Sequence, residues 1–161
     1  MKVTRSFVFA AVLFVSLFSQ AGDRFPVGPN PTTTPGALCS SPTSHRYAEQ
    51  IGYCERNVST QLKNELIKMY DEQFGYEIRR MKRADFKIDH FIPLSIGGAN
   101  EKENLWPQHK SVYAITDPLE SLLSEKIVAG RIKQADAIRV IREAKLNLGR
   151  VPDLIHYVKS L

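Results

Sequence analysis

The chain is poor in cysteine and tryptophan, with two of the first and one of the second in 161 residues. The cysteines, Cys39 and Cys54, form no Cys-x-x-Cys, which excludes the usual thiolate zinc patterns. The longest apolar run, Phe7 to Phe18, falls short of the roughly 20 residues of a membrane-spanning helix. No internal repeat is visible, so solenoids and propellers are excluded. Acidic residues are only slightly outnumbered, 17 against 22 basic, giving +5. Such a charge permits an anionic partner without demanding one. What remains is ordinary for a globular protein: 43% hydrophobic and 24% charged residues, enough for one small domain.

Residues 1–21 have the layout of a signal peptide. Lys2 and Arg5 precede the apolar run, and Ser19-Gln20-Ala21 supplies small residues for cleavage. The alternative is an uncleaved anchor, which the short run disfavours. Removing this leader leaves 20 basic and 17 acidic residues, or +3. The expected location is therefore secreted or periplasmic, with no stable membrane association after cleavage. In that oxidising setting Cys39 and Cys54 are expected to form one disulfide, stabilising by about 3 kcal/mol for a loop of this size.

Residues 22–37 carry Pro26, Pro29, Pro31, Pro35 and three consecutive threonines. This composition predicts a flexible linker, with the folded domain over 38–161. Ser59 or Thr60 can cap a helix reaching about Phe74, with Gly75 as its stop. A basic run follows: Arg79, Arg80, Lys82, Arg83 and Lys87. Runs of this kind are commonly solvated faces; here the place in the chain also suggests phosphate contacts, with Lys110 as a further candidate. Beyond Pro107 the pattern is helical. Asp117, Pro118 and Glu120 form a start signal, predicting a kink or restart at Pro118. Two more helical stretches follow, the first with the stripe Ala137, Ile138, Ile141, Ala144 and Leu148.

The most informative stretch runs from Phe86 to His109. Phe86, Ile88, Phe91 and Ile92 have strand composition, and Asp89 and His90 sit side by side among them. Alternation along a strand sends these two to opposite faces, separating an oxygen ligand from an imidazole that can take a proton. Pro93 and Gly97-Gly98 force a loop. Asn104-Leu105-Trp106-Pro107 forms a short return strand, with Trp106 expected in the core.

The string Asp-His, Pro-Leu, Gly-Gly-x-Asn and Asn-Leu-Trp-Pro-Gln resembles the HNH nucleases, the ββα-metal endonucleases. The likeness is tight over Ile88–His109 and looser over Cys39–Lys145. It implies an α+β fold: a mostly helical small domain built around a ββα-metal finger, about 84–117, with a two-stranded antiparallel hairpin. It also implies roles. His90 would be the general base and Asp89 a metal ligand. Asn104, the family's middle residue, would orient the histidine or shape the loop, while Asn100 is expected to serve only as a turn residue. The chain departs from the family at the third position, where Val112 and Tyr113 offer no ligand. His109 is the substitute expected as second ligand. The cofactor implied is one divalent ion, Mg²⁺ or Mn²⁺, with Zn²⁺ or Ni²⁺ able to compete at an imidazole.

The expected function is thus a secreted, monomeric, metal-dependent endonuclease cutting nucleic acid, DNA foremost, with little sequence preference. Two alternatives stand beside it: a binding module of the same fold without catalysis, and an antibacterial effector nuclease with an immunity partner.

Overall fold

A computed structural model describes residues 23–161; the signal peptide expected at 1–21 lies outside the described residues. Among the described residues the architecture is α+β, with four α-helices and two small antiparallel hairpins. The first hairpin pairs β1 (Ser44–Arg46) with β2 (Ile51–Tyr53). The second pairs β3 (Phe86–His90) with β4 (Leu105–His109). The helices are α1 (Thr60–Phe74), α2 (Lys110–Val128), α3 (Gln134–Leu146) and α4 (Val151–Ser160). None of them is long and apolar enough to cross a membrane.

Helix α1 begins where its cap dictates. The Ser59 hydroxyl accepts from Leu62 N–H, and Gly75 closes the helix at φ 75°, a conformation glycine adopts freely. Of the kink or restart expected at Pro118, the restart does not occur, because helix α2 runs on through it. A proline there removes one N–H and crowds the preceding turn, a cost near 3 kcal/mol. Full burial of Leu119 and Leu123 on the same helix offsets it.

Strands β3 and β4 are in simple register: Phe86 faces His109, Ile88 faces Pro107, Asp89 faces Trp106 and His90 faces Leu105. Directly paired residues share a sheet face. One face therefore holds Phe86, Ile88, His90, Leu105 and His109; the other holds Lys87, Asp89, Trp106 and Gln108. Apolar residues of the hairpin pack with Leu66, Ile67 and Tyr70 of α1. A second core joins α2, α3 and α4 with Ile92 and Ile96 of the loop between the strands.

Residues 23–37 are not a free linker, which corrects that expectation. They form a strap across the hairpin and α1. The Thr34 hydroxyl, fully buried, lies 3.0 Å from the Tyr70 hydroxyl and donates to Leu105 O at 3.2 Å. Asn30 N–H donates to the Tyr70 hydroxyl at 3.1 Å, and Phe25 stacks on the His109 ring with centroids 4.1 Å apart. Proline-rich sequence lacks helix potential, but its backbone carbonyls and stiff rings can still be laid against a surface.

The disulfide Cys39–Cys54 is formed. It ties the end of the strap to the segment after β2, as expected of an oxidising environment.

Candidate functional site

The Gly97-Gly98 pair and Asn104 build the loop that closes the hairpin. Gly97 has φ 92°, and a Cβ on Gly98 would lie 1.8 Å from Ile92 O, so no larger residue fits. The Asn104 amide accepts from Ile92 N–H at 2.8 Å and donates to Ile92 O and Ala99 O at 2.9 Å each. Asn104 is fully buried and clamps the loop. Of its two expected roles, the structure shows loop shaping; no hydrogen bond joins it to His90 among the described residues.

His90 is instead held by Asn100. Its Nε2 lies 3.0 Å from Asn100 Oδ1, and Asn100 Nδ2 donates to Glu55 O at 2.7 Å. This corrects the reading of Asn100 as a turn residue only. His90 is 3% exposed. Burial pushes its pKa down to about 4, with Arg56 lowering it further and Asn100 and Asp89 acting against the shift. The ring is neutral near pH 7. Asn100 also lines a polar cleft of about 390 Å³ with Ser41, Thr43, Glu55, Arg56 and Asn57. Arg56 is anchored at that cleft by a hydrogen bond to Ile88 O at 2.9 Å.

Asp89 leaves the strand on the other face, as alternation requires. Its Oδ2 receives a hydrogen bond from Lys145 Nζ at 2.8 Å, and its Oδ1 lies 3.5 Å from Lys87 Nζ. Lys145 is fully buried. The same ammonium donates to His90 O at 2.5 Å and sits 2.6 Å from Glu120 Oε1. Two of its donors thus have oxygen acceptors, while Glu120 Oε1 is an ion-pair neighbour without hydrogen-bond geometry. Lys87 Nζ in turn binds both oxygens of Asp117 at 2.9 Å.

The electrostatics follow from counting. Asp89, Asp117 and Glu120 place carboxylate oxygens within 4.8 Å of one another. Asp117 and Lys87 are partly exposed, so the buried balance is Asp89 and Glu120 against Lys145, and one acid is pushed towards its protonated form. That acid is Glu120, whose pKa burial pushes up to about 7 against the pull of Lys145. Burial also raises the Asp89 carboxyl, but Lys145 and Lys87 outweigh it and hold the group below its ordinary value. Lys145 is drawn down by burial and driven up more strongly by Asp89 and Glu120, so it stays charged.

His109 is not where a second ligand must be, and this corrects its assignment. It shares a face with Phe86, opposite to that of Asp89. Its ring stacks on Phe25 and meets Phe86 edge-on, and its Nδ1 accepts from Ser111 N–H as the cap of α2. An imidazole used this way starts a helix. The Asp89 and His109 pair therefore does not fit a shared divalent ion. The three carboxylates are oxygen donors suited to a hard cation, yet two ammonium groups already occupy their charge. The donor set does not fit a further divalent ion while Lys145 is in place.

The basic run is also largely spoken for. Arg79 pairs with Asp71 at 3.0 Å and Glu72 at 3.3 Å, and Arg80 with Glu77 at 3.1 Å. Arg83 donates to Phe86 O at 2.7 Å, Lys87 binds Asp117, and Lys110 pairs with Asp85 at 2.9 Å. Lys82 is exposed and has no ion pair among the described residues. Five of these six side chains thus have a partner of their own, in pairs that are mostly exposed.

Sequence reasoning missed Lys145, Glu120, Asn100 and Arg56 as parts of the site. One signal was present: Lys145 follows Ile141 by four places and so lies on the apolar stripe of α3. A lysine there needs a buried anion. Glu120 was hidden by its fit to a capping box.

Compared with family models, curated proteins and solved structures, the chain finds no match in any of the three.

Proposed function

We propose that the chain is an exported phosphodiesterase of HNH type that cuts nucleic acid, DNA foremost, at the cleft lined by Asn100 and Arg56. One observation carries the reading: a neutral imidazole at the end of β3, bound through Nε2 to Asn100, which lines a cleft together with Arg56. The HNH-like order of residues around Asp89-His90 and the hairpin-then-helix arrangement support it. A neutral ring can accept a proton from an in-line water. The water oxygen then bonds to phosphorus as the bond to the 3′ oxygen breaks. The leaving oxygen takes a proton from solvent, giving 5′-phosphate and 3′-hydroxyl ends. Arg56 is the cation positioned to meet the charge that develops on the phosphoryl oxygens. No step is routed through a metal. Mg²⁺ or Mn²⁺ would have to displace Lys145 from Asp89 before binding there.

A second reading is a binding module of the same fold without catalysis. The Lys145–Asp89 ion pair, standing in the expected metal position, favours it.

Nicking of supercoiled DNA by the mature chain separates the two. Wild type, His90→Ala and Arg56→Ala are compared in EDTA and in each of Mg²⁺, Mn²⁺, Zn²⁺ and Ni²⁺. The hydrolase reading expects cleavage that falls at least about a hundredfold in His90→Ala. DNA retained on the protein but left intact under every condition establishes the binding module instead.

A further inference from the structure

We infer that Asn100 is a positioning residue that holds His90 as the Nε2–H tautomer, leaving Nδ1 as the atom that accepts the proton. The inference rests on His90 being the base of the proposed hydrolase.

The chain of reasoning begins at a backbone carbonyl. Glu55 O can only accept a hydrogen bond. The Asn100 side-chain atom 2.7 Å from it must therefore be the amide nitrogen. That fixes the orientation of the amide without any choice of flip. The opposite end of the amide, Oδ1, then faces His90 Nε2 at 3.0 Å. A carbonyl oxygen also only accepts, so Nε2 must carry the hydrogen. In a neutral imidazole the second nitrogen is then bare. His90 Nδ1 has no hydrogen-bond partner among the described residues, and it is not among the sealed, partnerless polar atoms. The small exposure left to His90 therefore includes the nitrogen that is chemically free.

The anchor of this relay lies outside the HNH-like string. Glu55 follows Cys54, and the disulfide to Cys39 pins that segment over β3. Arg56 adds a second tie through its bond to Ile88 O. The order is covalent clasp, carbonyl, amide, imidazole. The hairpin contributes the base, and the segment after β2 sets which of its nitrogens can react.

The test reads the tautomer directly, through two-bond ¹H–¹⁵N correlations of the His90 ring in the mature chain at neutral pH. Wild type should show Nε2 protonated and Nδ1 bare. Asn100→Ala should lose that preference while its far-UV circular dichroism stays unchanged. Its plasmid cleavage should fall about a hundredfold with KM unaltered, the scale of a misplaced catalytic group. Asn100→Asp still offers an acceptor to Nε2, so it should keep the tautomer and recover part of the rate. An Nδ1–H signal in wild type overturns the inference, as does an Asn100→Ala ring indistinguishable from wild type. A wild type with the Nε2–H signal but no cleavage under any metal refutes the hydrolase reading and leaves the Asn100 assignment standing.

Discussion

Glu120 and His90 depart from their usual protonation in opposite directions, and the consequences for stability oppose each other. Glu120 is raised from 4.5 to about 7. Between those values the folded chain holds a proton that the unfolded chain lacks, so stability falls as pH rises. His90 is lowered from 6.5 to about 4. Between those values the unfolded chain holds the extra proton, so stability rises with pH. From 4.5 to 6.5 the two slopes run against each other and the wild-type profile should be nearly flat. Glu120→Gln removes one of them. Its stability should then climb with pH across that window by on the order of 1 kcal/mol per unit. Denaturant midpoints at fixed steps from pH 4.5 to 6.5 check this. A flat Glu120→Gln profile would show that His90 is not held neutral by its surroundings.

Helix α3 reaches strand β3 through a buried ammonium. Lys145 is the point where α3, β3 and α2 meet, through Asp89, the His90 carbonyl and Glu120. Lys145→Met should destabilise by about 3–5 kcal/mol, because it takes the hydrogen-bonded cation from buried Asp89 and leaves it the longer 3.5 Å contact to Lys87. Adding Asp89→Asn and Glu120→Gln to that variant removes the stranded charge and should restore most of the loss. Thermal melts of the single and triple variants measure both steps. A triple variant no more stable than Lys145→Met would show that the stranded carboxylate is not the source of the loss. The elements themselves were legible in sequence. Ser59 and Gly75 marked α1, and Gly97-Gly98 with Asn104 marked the loop between β3 and β4, because caps and tight turns are decided by neighbours along the chain. The opposite facing of Asp89 and His90 was legible for the same reason, following from strand alternation. The partners were not. Nothing near position 89 in sequence says that a lysine 56 residues later will fill the place expected for a metal. Likewise His109 looked like a ligand because its register against Phe86 depends on the strand pairing.

The whole molecule depends on residues 23–37 more than their composition suggests. The strap shields the side of the hairpin that faces α1. It satisfies the buried Tyr70 hydroxyl and adds an acceptor bond to Leu105 O through Thr34. Its Gly36 N–H bonds to Glu103 O at 2.8 Å and its Ala37 O accepts from Ala99 N–H at 3.0 Å, both in the loop that carries Asn100 and Asn104. Gly28 lies so close to Lys145 O that a Cβ would come within 2.7 Å. Phe25 is half-buried and Pro26 and Pro29 are buried; full burial of a large apolar side chain contributes roughly 1.5–3 kcal/mol, and each stranded polar group costs about 1–3 kcal/mol. Together these approach the 5–15 kcal/mol that separates a small domain from its unfolded chain. A chain beginning at Leu38 should therefore melt far below one beginning at Asp23, or show no cooperative transition. Thr34→Val in the longer chain should cost about 1–3 kcal/mol, since it keeps the shape and removes only the hydroxyl. Calorimetry of the three chains side by side gives the answer. Coincident melting of the chains starting at 23 and 38 would return the segment to the status of a tether.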